Sequence, residues 1–315
     1  MTFDNFRHRV VVWLSGTLLL VAHVVSAQPQ ERPYCGDEGV WFQILGSGDL
    51  DLDNNRAAAS YIVWLDNKAR VLIDAGAGTA LRFDESHAKF ADLHAILLTQ
   101  NSLEKSGDLI NLIAGSYRSE REETLLVFGP EGDEQNLSTT ELFKRMTGPD
   151  GAYPSLQRLA FHDSSLGHRI RIRDVPAKGR KKWSGYGTQL VQLHSIPVNH
   201  GEVPTVAWRI DVGGHALVFA NDFNNQKDVV ADFAEDADVL VFSHQIPEGV
   251  VGEVREKFVS PSQIGRIAAR ADPRFIVLGS RSWRTFAREQ SSMDTIERHF
   301  DGIQVFANEL ECWGL

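Results

Sequence analysis

Two parts of this sequence share one design, and that repeat narrows the fold more than any other feature. In the first, an apolar run at 60–65 reaches a turn at Asp66 and Asn67, and a second run from Arg70 ends on Asp74. In the second, the run 206–211 reaches a turn at Gly213 and Gly214, and 216–220 ends on Asn221 and Asp222. Each reads as a β-hairpin that closes on an acid. Beyond each hairpin, helical and strand patterns alternate: a helix from Gly78 to about Phe90, then strands at 239–242, 275–278 and 303–306 with helices at 261–271 and 291–299 between them. Two strand-rich halves, each with helices, predict two mixed sheets packed face to face with helices outside, an α/β sandwich in one domain.

The stretch 95–108 places the chemistry on this frame. Ala95 to Leu98 form a short buried strand, and a helix begins near Gly107. Between them the residues Gln100 to Lys105 are delivered to the carboxyl end of a strand, where α/β folds carry their sites. That is the position of an active-site loop.

The first 27 residues read as a leader. Arg7, His8 and Arg9 precede an apolar run at 10–25, and Val25, Ser26 and Ala27 form a small-residue cleavage pattern. A cleavable signal peptide over 1–27 and a mature domain over 28–315 follow, with an uncleaved anchor as the alternative; the run is short for a spanning helix. No cysteine follows the cleavage site in the pattern a lipoprotein needs, so no lipid anchor is expected. The product is then periplasmic or secreted, with no stable membrane span after cleavage. In such a compartment thiols pair, and Cys35 and Cys312, at opposite ends of the mature chain, are predicted to form a disulfide. A formal charge of -10 argues against nucleic acid as a partner. Residues 147–188 have weak periodicity, many Gly and Pro, and a basic run at 178–182, and read as a long loop or insertion. An arm that attracts anions is the sharper alternative.

Thr99-Gln-Asn-Ser-Leu-Glu-Lys-Ser-Gly-Asp108 resembles the T-H-x-H-x-D-H-x-G-D signature of the metallo-β-lactamase superfamily. The resemblance extends through Gly46-Ser-Gly48, the segment 56–60, Leu72-Ile-Asp-Ala-Gly76, Pro197-Val-Asn-His200 and Ser260-Pro-Ser-Gln-Ile-Gly-Arg-Ile-Ala268, and is nearest to the branch of ribonuclease Z and arylsulfatase-like hydrolases. It implies a metallo-β-lactamase-like αββα sandwich over about 40–306 and a two-metal hydrolase centre. Carried over position by position, the first metal set reads Gln100, Ser102 and His200. The second reads Glu104, Lys105 and Ser280, with Asp222 as the bridging acid. Phe258 stands where the branch places a proton-donating His.

Most of that ligand set is gone. If any metal binds, Glu104, His200 and Asp222 are its donors, the minimum for a catalytic zinc. Lys105 then sets a cation beside a dication, a repulsion of about 8 kcal/mol at 4 Å and an effective dielectric near 20. The favoured reading is a degenerate, non-catalytic member with no expected cofactor, in which Lys105, Glu104 and Asp222, with His200 beside them, replace the metals. Such a protein acts by binding a small ligand or another exported protein. Two alternatives stay open: a hydrolase of esters or phosphodiesters with one zinc, and a metal-free hydrolase using Ser102, His200 and Asp222 as nucleophile, base and orienter. His244 reads as a hydrogen-bonded structural residue, 49–54 as an ordinary polar loop, and Arg281 and Arg284 as loop arginines with anion binding as the sharper option.

Overall fold

Residues 35–158 and 169–315 are described by a computed structural model. The leader at 1–27 and part of the 147–188 stretch lie outside the described residues.

Val-, Ile- and Leu-rich runs make two seven-stranded mixed sheets. In the first, β1 (Val40–Gly46), β2 (Ser60–Leu65), β3 (Lys68–Ile73), β4 (Ala95–Leu97), β5 (Leu125–Pro130) and β6 (Ile170–Val175) lie in sequence order, and β14 (Cys312–Gly314) pairs on the outer side of β1. The second orders β13 (Ile303–Phe306), β12 (Phe275–Gly279), β11 (Val239–Ser243), β10 (His215–Phe219), β9 (Val203–Val212), β8 (Val191–His200) and β7 (Trp183–Gly187). Each sheet is antiparallel through its hairpins and parallel beyond them. The parallel strands β11 and β12 are buried along their whole length, so they read as unbroken apolar runs rather than alternating ones. Both hairpin turns have positive φ at their two central residues, Asp66 and Asn67 in one and Gly213 and Gly214 in the other, the geometry that right-twisted strands select.

One apolar layer fills the space between the sheets, with Phe42, Tyr61 and Phe219 in mutual ring contact. Outer layers lie under the helices: α1 (Thr79–Glu85), α2 (Leu103–Ser106), α3 (Leu109–Ser116) and α4 (Thr139–Thr147) belong to the first half, and α5 (Val230–Phe233), α6 (Pro261–Ala271) and α7 (Glu289–Glu297) to the second. Helix α6 starts with Pro261 behind a Ser260/Gln263 capping box and stops at Asp272 in the left-handed region.

Cys35 and Cys312 form a disulfide with Cα atoms 5.3 Å apart. Among the described residues no helix is long and apolar enough to cross a membrane. Three details differ from expectation. Helix α1 ends at Glu85 rather than near Phe90, because His87 adopts a φ of 60° that breaks it. The presumed loop at 100–105 contains the short α2. Within 147–188, two edge strands, β6 and β7, replace part of the expected loop; the alternation of Ile and Arg in β6 is short, and β7, rich in Gly and Ser, has no apolar period.

Candidate functional site

The two acids that close the hairpins meet at one edge of the sandwich. Asp74 follows β3 in the left-handed region, with φ of 56°. Its carboxylate accepts hydrogen bonds from the Thr99 amide at 2.7 Å, the Thr99 hydroxyl at 2.9 Å and the Asn221 side-chain amide at 2.9 Å, so it ties the first sheet to the second. Burial pushes the Asp74 carboxyl up to about 7, against the pull of Lys105 and these donors.

The loop after β4 is pinned onto the end of β3. The Ala75 amide donates to the Lys105 carbonyl at 2.7 Å, and the Asp108 amide donates back to Ala75 at 2.8 Å. Gly76 permits this approach, since a Cβ there would sit 1.9 Å from the Glu104 carbonyl oxygen. Helix α2 then turns Lys105 inward, where its side chain is fully buried.

The Lys105 ammonium lies 2.7 Å from Glu104 Oε1 and 3.0 Å from Asp222 Oδ2, and 3.3 Å from the Ser280 hydroxyl. Ser280, with φ of 44°, donates to Glu104 Oε1 at 3.2 Å and accepts from the Gln245 amide at 3.0 Å. Asp222 also accepts from Gln100 Nε2 at 3.1 Å and from the Ser243 hydroxyl. Burial pushes the Lys105 ammonium down, but attraction to Asp222, Glu104 and Asp74 outweighs it, so Lys105 titrates well above its usual range and stays charged. Burial likewise pushes Asp222 up, and the Lys105 ammonium, with His200 and Ser243, reverses this and holds it below the ordinary carboxylate range.

These residues do not fit the two metals that the fold implies. A metal needs ligand lone pairs turned toward it. Here both Asp222 oxygens and Glu104 Oε1 already accept N–H or O–H donors, and the cation they surround is an ammonium. Among the described residues no group of three or more His, Cys, Asp and Glu is arranged for a metal ion. His200 is nearly buried, with Nδ1 2.9 Å from the Lys257 carbonyl and its ring edge-on to Phe258. A carbonyl only accepts, so Nδ1 carries the proton of that contact.

Ser102, His200 and Asp222 are not joined into a relay. The Ser102 hydroxyl is buried without a hydrogen-bond partner, and the partners of Asp222 are Lys105, Gln100 and Ser243 rather than His200. Sequence reasoning missed Ser243, Gln245 and Asn221, although each follows an apolar strand at the same edge as Asp222. Arg281 is buried and pairs with Glu289 at 2.5 Å, whereas Arg284 is exposed and stacks on Trp283. Residues 49–54 form a polar loop in which Asp49 accepts from the Asp51 amide at 2.9 Å.

His244 Nε2 lies 2.9 Å from the Ser292 hydroxyl, and burial pushes this imidazole down to about 4 from 6.5. Between those values the unfolded chain takes up a proton that the folded protein refuses, so stability falls as pH drops from 6.5 toward 4. The drop in urea midpoint between neutral and mildly acidic buffer shrinks in His244→Gln. An unchanged pH dependence in that variant would contradict the assignment.

The chain has the metallo-β-lactamase fold. Solved structures that it resembles include the metallo-β-lactamase fold protein YhfI from Bacillus subtilis, at 17% identity over 88% of this chain and 99% of that one, with a TM-score of 0.63. The short form of human tRNase Z matches at 13% identity over 87% and 98%, with a TM-score of 0.67. Zn(2+)-bound PqqB from Methylobacterium extorquens matches at 14% identity over 87% and 100%, with a TM-score of 0.58. At these identities the likeness is one of fold. No protein-family model matches the sequence, and no curated protein does.

Proposed function

We propose that this is an exported protein in which a buried ion-pair cluster replaces the hydrolytic metals, and which acts by binding a small ligand or another exported protein at the old cleft. The observation that carries this reading is the Lys105 ammonium between Glu104 and Asp222, at 2.7 and 3.0 Å. An ammonium held there supplies the positive charge the two acids need, and it activates no water. The leader pattern and the Cys35–Cys312 disulfide support export.

Two features support binding. A cavity of about 240 Å³ lies against the 99–108 loop, lined by Asn101, Ser102, Gln135, Asn136 and Val203 among others. The loops after β1, β4, β11 and β12, on the edge that holds Asp222, expose Leu50, Leu52, Leu103, Val251, Trp283 and Phe286. Apolar groups gathered at one edge suit a partner or ligand better than water.

The test is metal analysis of protein purified without chelator, followed by assays on generic phosphodiester, ester and sulfate substrates. Substoichiometric metal and no turnover are expected. Stoichiometric zinc, with turnover lost in Asp222→Asn or His200→Ala, would overturn the proposal and favour a one-metal hydrolase.

A further inference from the structure

The outer strands of the two sheets carry a separate feature. Strand β6 ends the first sheet and β7 ends the second, and among the described residues no further strand pairs with either. Along β6 and the turn that follows, Arg169, Arg171, Arg173, Lys178, Arg180, Lys181 and Lys182 are all exposed. None of them makes an ion pair among the described residues, in a chain whose formal charge is -10. The acid inside this run, Asp174, is engaged in accepting from the Thr140 amide at the start of α4.

The cations on β6 are ordered. Arg169, Arg171 and Arg173 alternate with Ile170 and Ile172, which pack into the apolar layer under the helices, so the arginines share the other face. Same-face residues on a strand repeat at about 6.6 Å. The Arg169 carbonyl accepts from Leu125 and the Val175 carbonyl from Glu131, both on the β5 side, so the odd-numbered residues spend their main-chain groups on β5. The N–H and C=O groups of Ile170, Ile172 and Asp174 therefore point to the open edge.

We infer that the β6 edge is a docking site for an extended acidic segment of a partner protein, which adds to the first sheet as an eighth strand. Its main chain pairs with Ile170, Ile172 and Asp174. Acidic side chains at alternate positions face Arg169, Arg171 and Arg173, and apolar ones between them extend the layer around Ile170 and Ile172. A row with this period, beside a main chain that no strand among the described residues pairs, matches a strand, whereas a disordered polyanion or a headgroup layer would need charge alone. The opposing reading is that the arginines only keep the edge from pairing.

The experiment uses the full disulfide-bonded chain and a fluorescent peptide of alternating Glu and Val, with a shuffled peptide of the same composition and vesicles of anionic phospholipid as controls. The alternating peptide is expected to bind about tenfold tighter than the shuffled one, and to weaken as salt rises. Arg171→Glu/Arg173→Glu reverses the charge of an exposed row and abolishes this binding. Ile172→Pro removes an outward N–H while leaving the β5 ladder, and weakens binding with all the charges in place. Thermal unfolding of both variants verifies that they fold. Equal binding of the shuffled peptide or of vesicles, or no binding of the alternating peptide, would overturn the inference.

Discussion

Lys105→Met lowers folding stability by about 3–5 kcal/mol, the size expected when one partner of a buried ion pair is removed and the other keeps its charge. Met nearly preserves the length of the stem, so the loss reports the ammonium rather than a cavity. The carboxylate left behind at Asp222 is almost fully buried, and desolvation, which Lys105 now counteracts, then raises its pKa. The deficit therefore shrinks as pH falls and Asp222 takes up a proton. Adding Asp222→Asn to the variant restores a large part of the loss, since the two changes act on one interaction. Urea denaturation of the two single variants and the double variant closes the cycle. A loss below about 1 kcal/mol, the scale of an exposed pair, would show that Lys105 is not the internal cation of the cluster.

Reduction of the Cys35–Cys312 bridge is the second large effect, expected to cost about 2–5 kcal/mol. The bridge closes a separation of 277 residues, so it restricts the unfolded chain over nearly all of the described fold. Unfolding of protein reduced and then alkylated, compared with untreated protein, measures the loss. Cys35→Ser/Cys312→Ser should match the reduced protein. A reduced form as stable as the oxidised one would place the stabilising constraint elsewhere.

The sandwich was legible in the sequence because its strands announce themselves twice. The buried parallel strands are unbroken apolar runs, the hairpin turns carry Asp-Asn and Gly-Gly, and α6 has a capping box and a Pro at its first position. Edge strands are harder. The alternation of Ile170 and Ile172 with arginines in β6 covers only a few residues of a Gly- and Pro-containing stretch, and the Gly and Ser of β7 give no apolar period, so a loop was the natural expectation there.

At the site, the positions of Gln100, Glu104, Lys105 and Asp222 followed from strand ends. Their hydrogen bonds did not, because the partners arrive from other strands: Gln100 reaches Asp222 across 122 residues, Ser243 reaches Asp222 across 21, and Gln245 reaches Ser280 across 35. A relay of Ser102, His200 and Asp222 was equally readable from the sequence. The His200 ring, turned to the Lys257 carbonyl, and the partners of Asp222 separate proximity from connection.

The pairing of β14 with β1 bears on when the fold can close. Strand β1 is the first described strand to leave the ribosome and β14 the last, and they are neighbours in one sheet. Until β14 has been made, the outer edge of β1 lacks that partner strand and Cys35 lacks the thiol of Cys312. Completion of the first sheet therefore waits for β14, and contacts this distant in sequence form late and slowly. Over that interval the nascent chain carries an open, pairing-competent edge on β1, which a holding chaperone would protect.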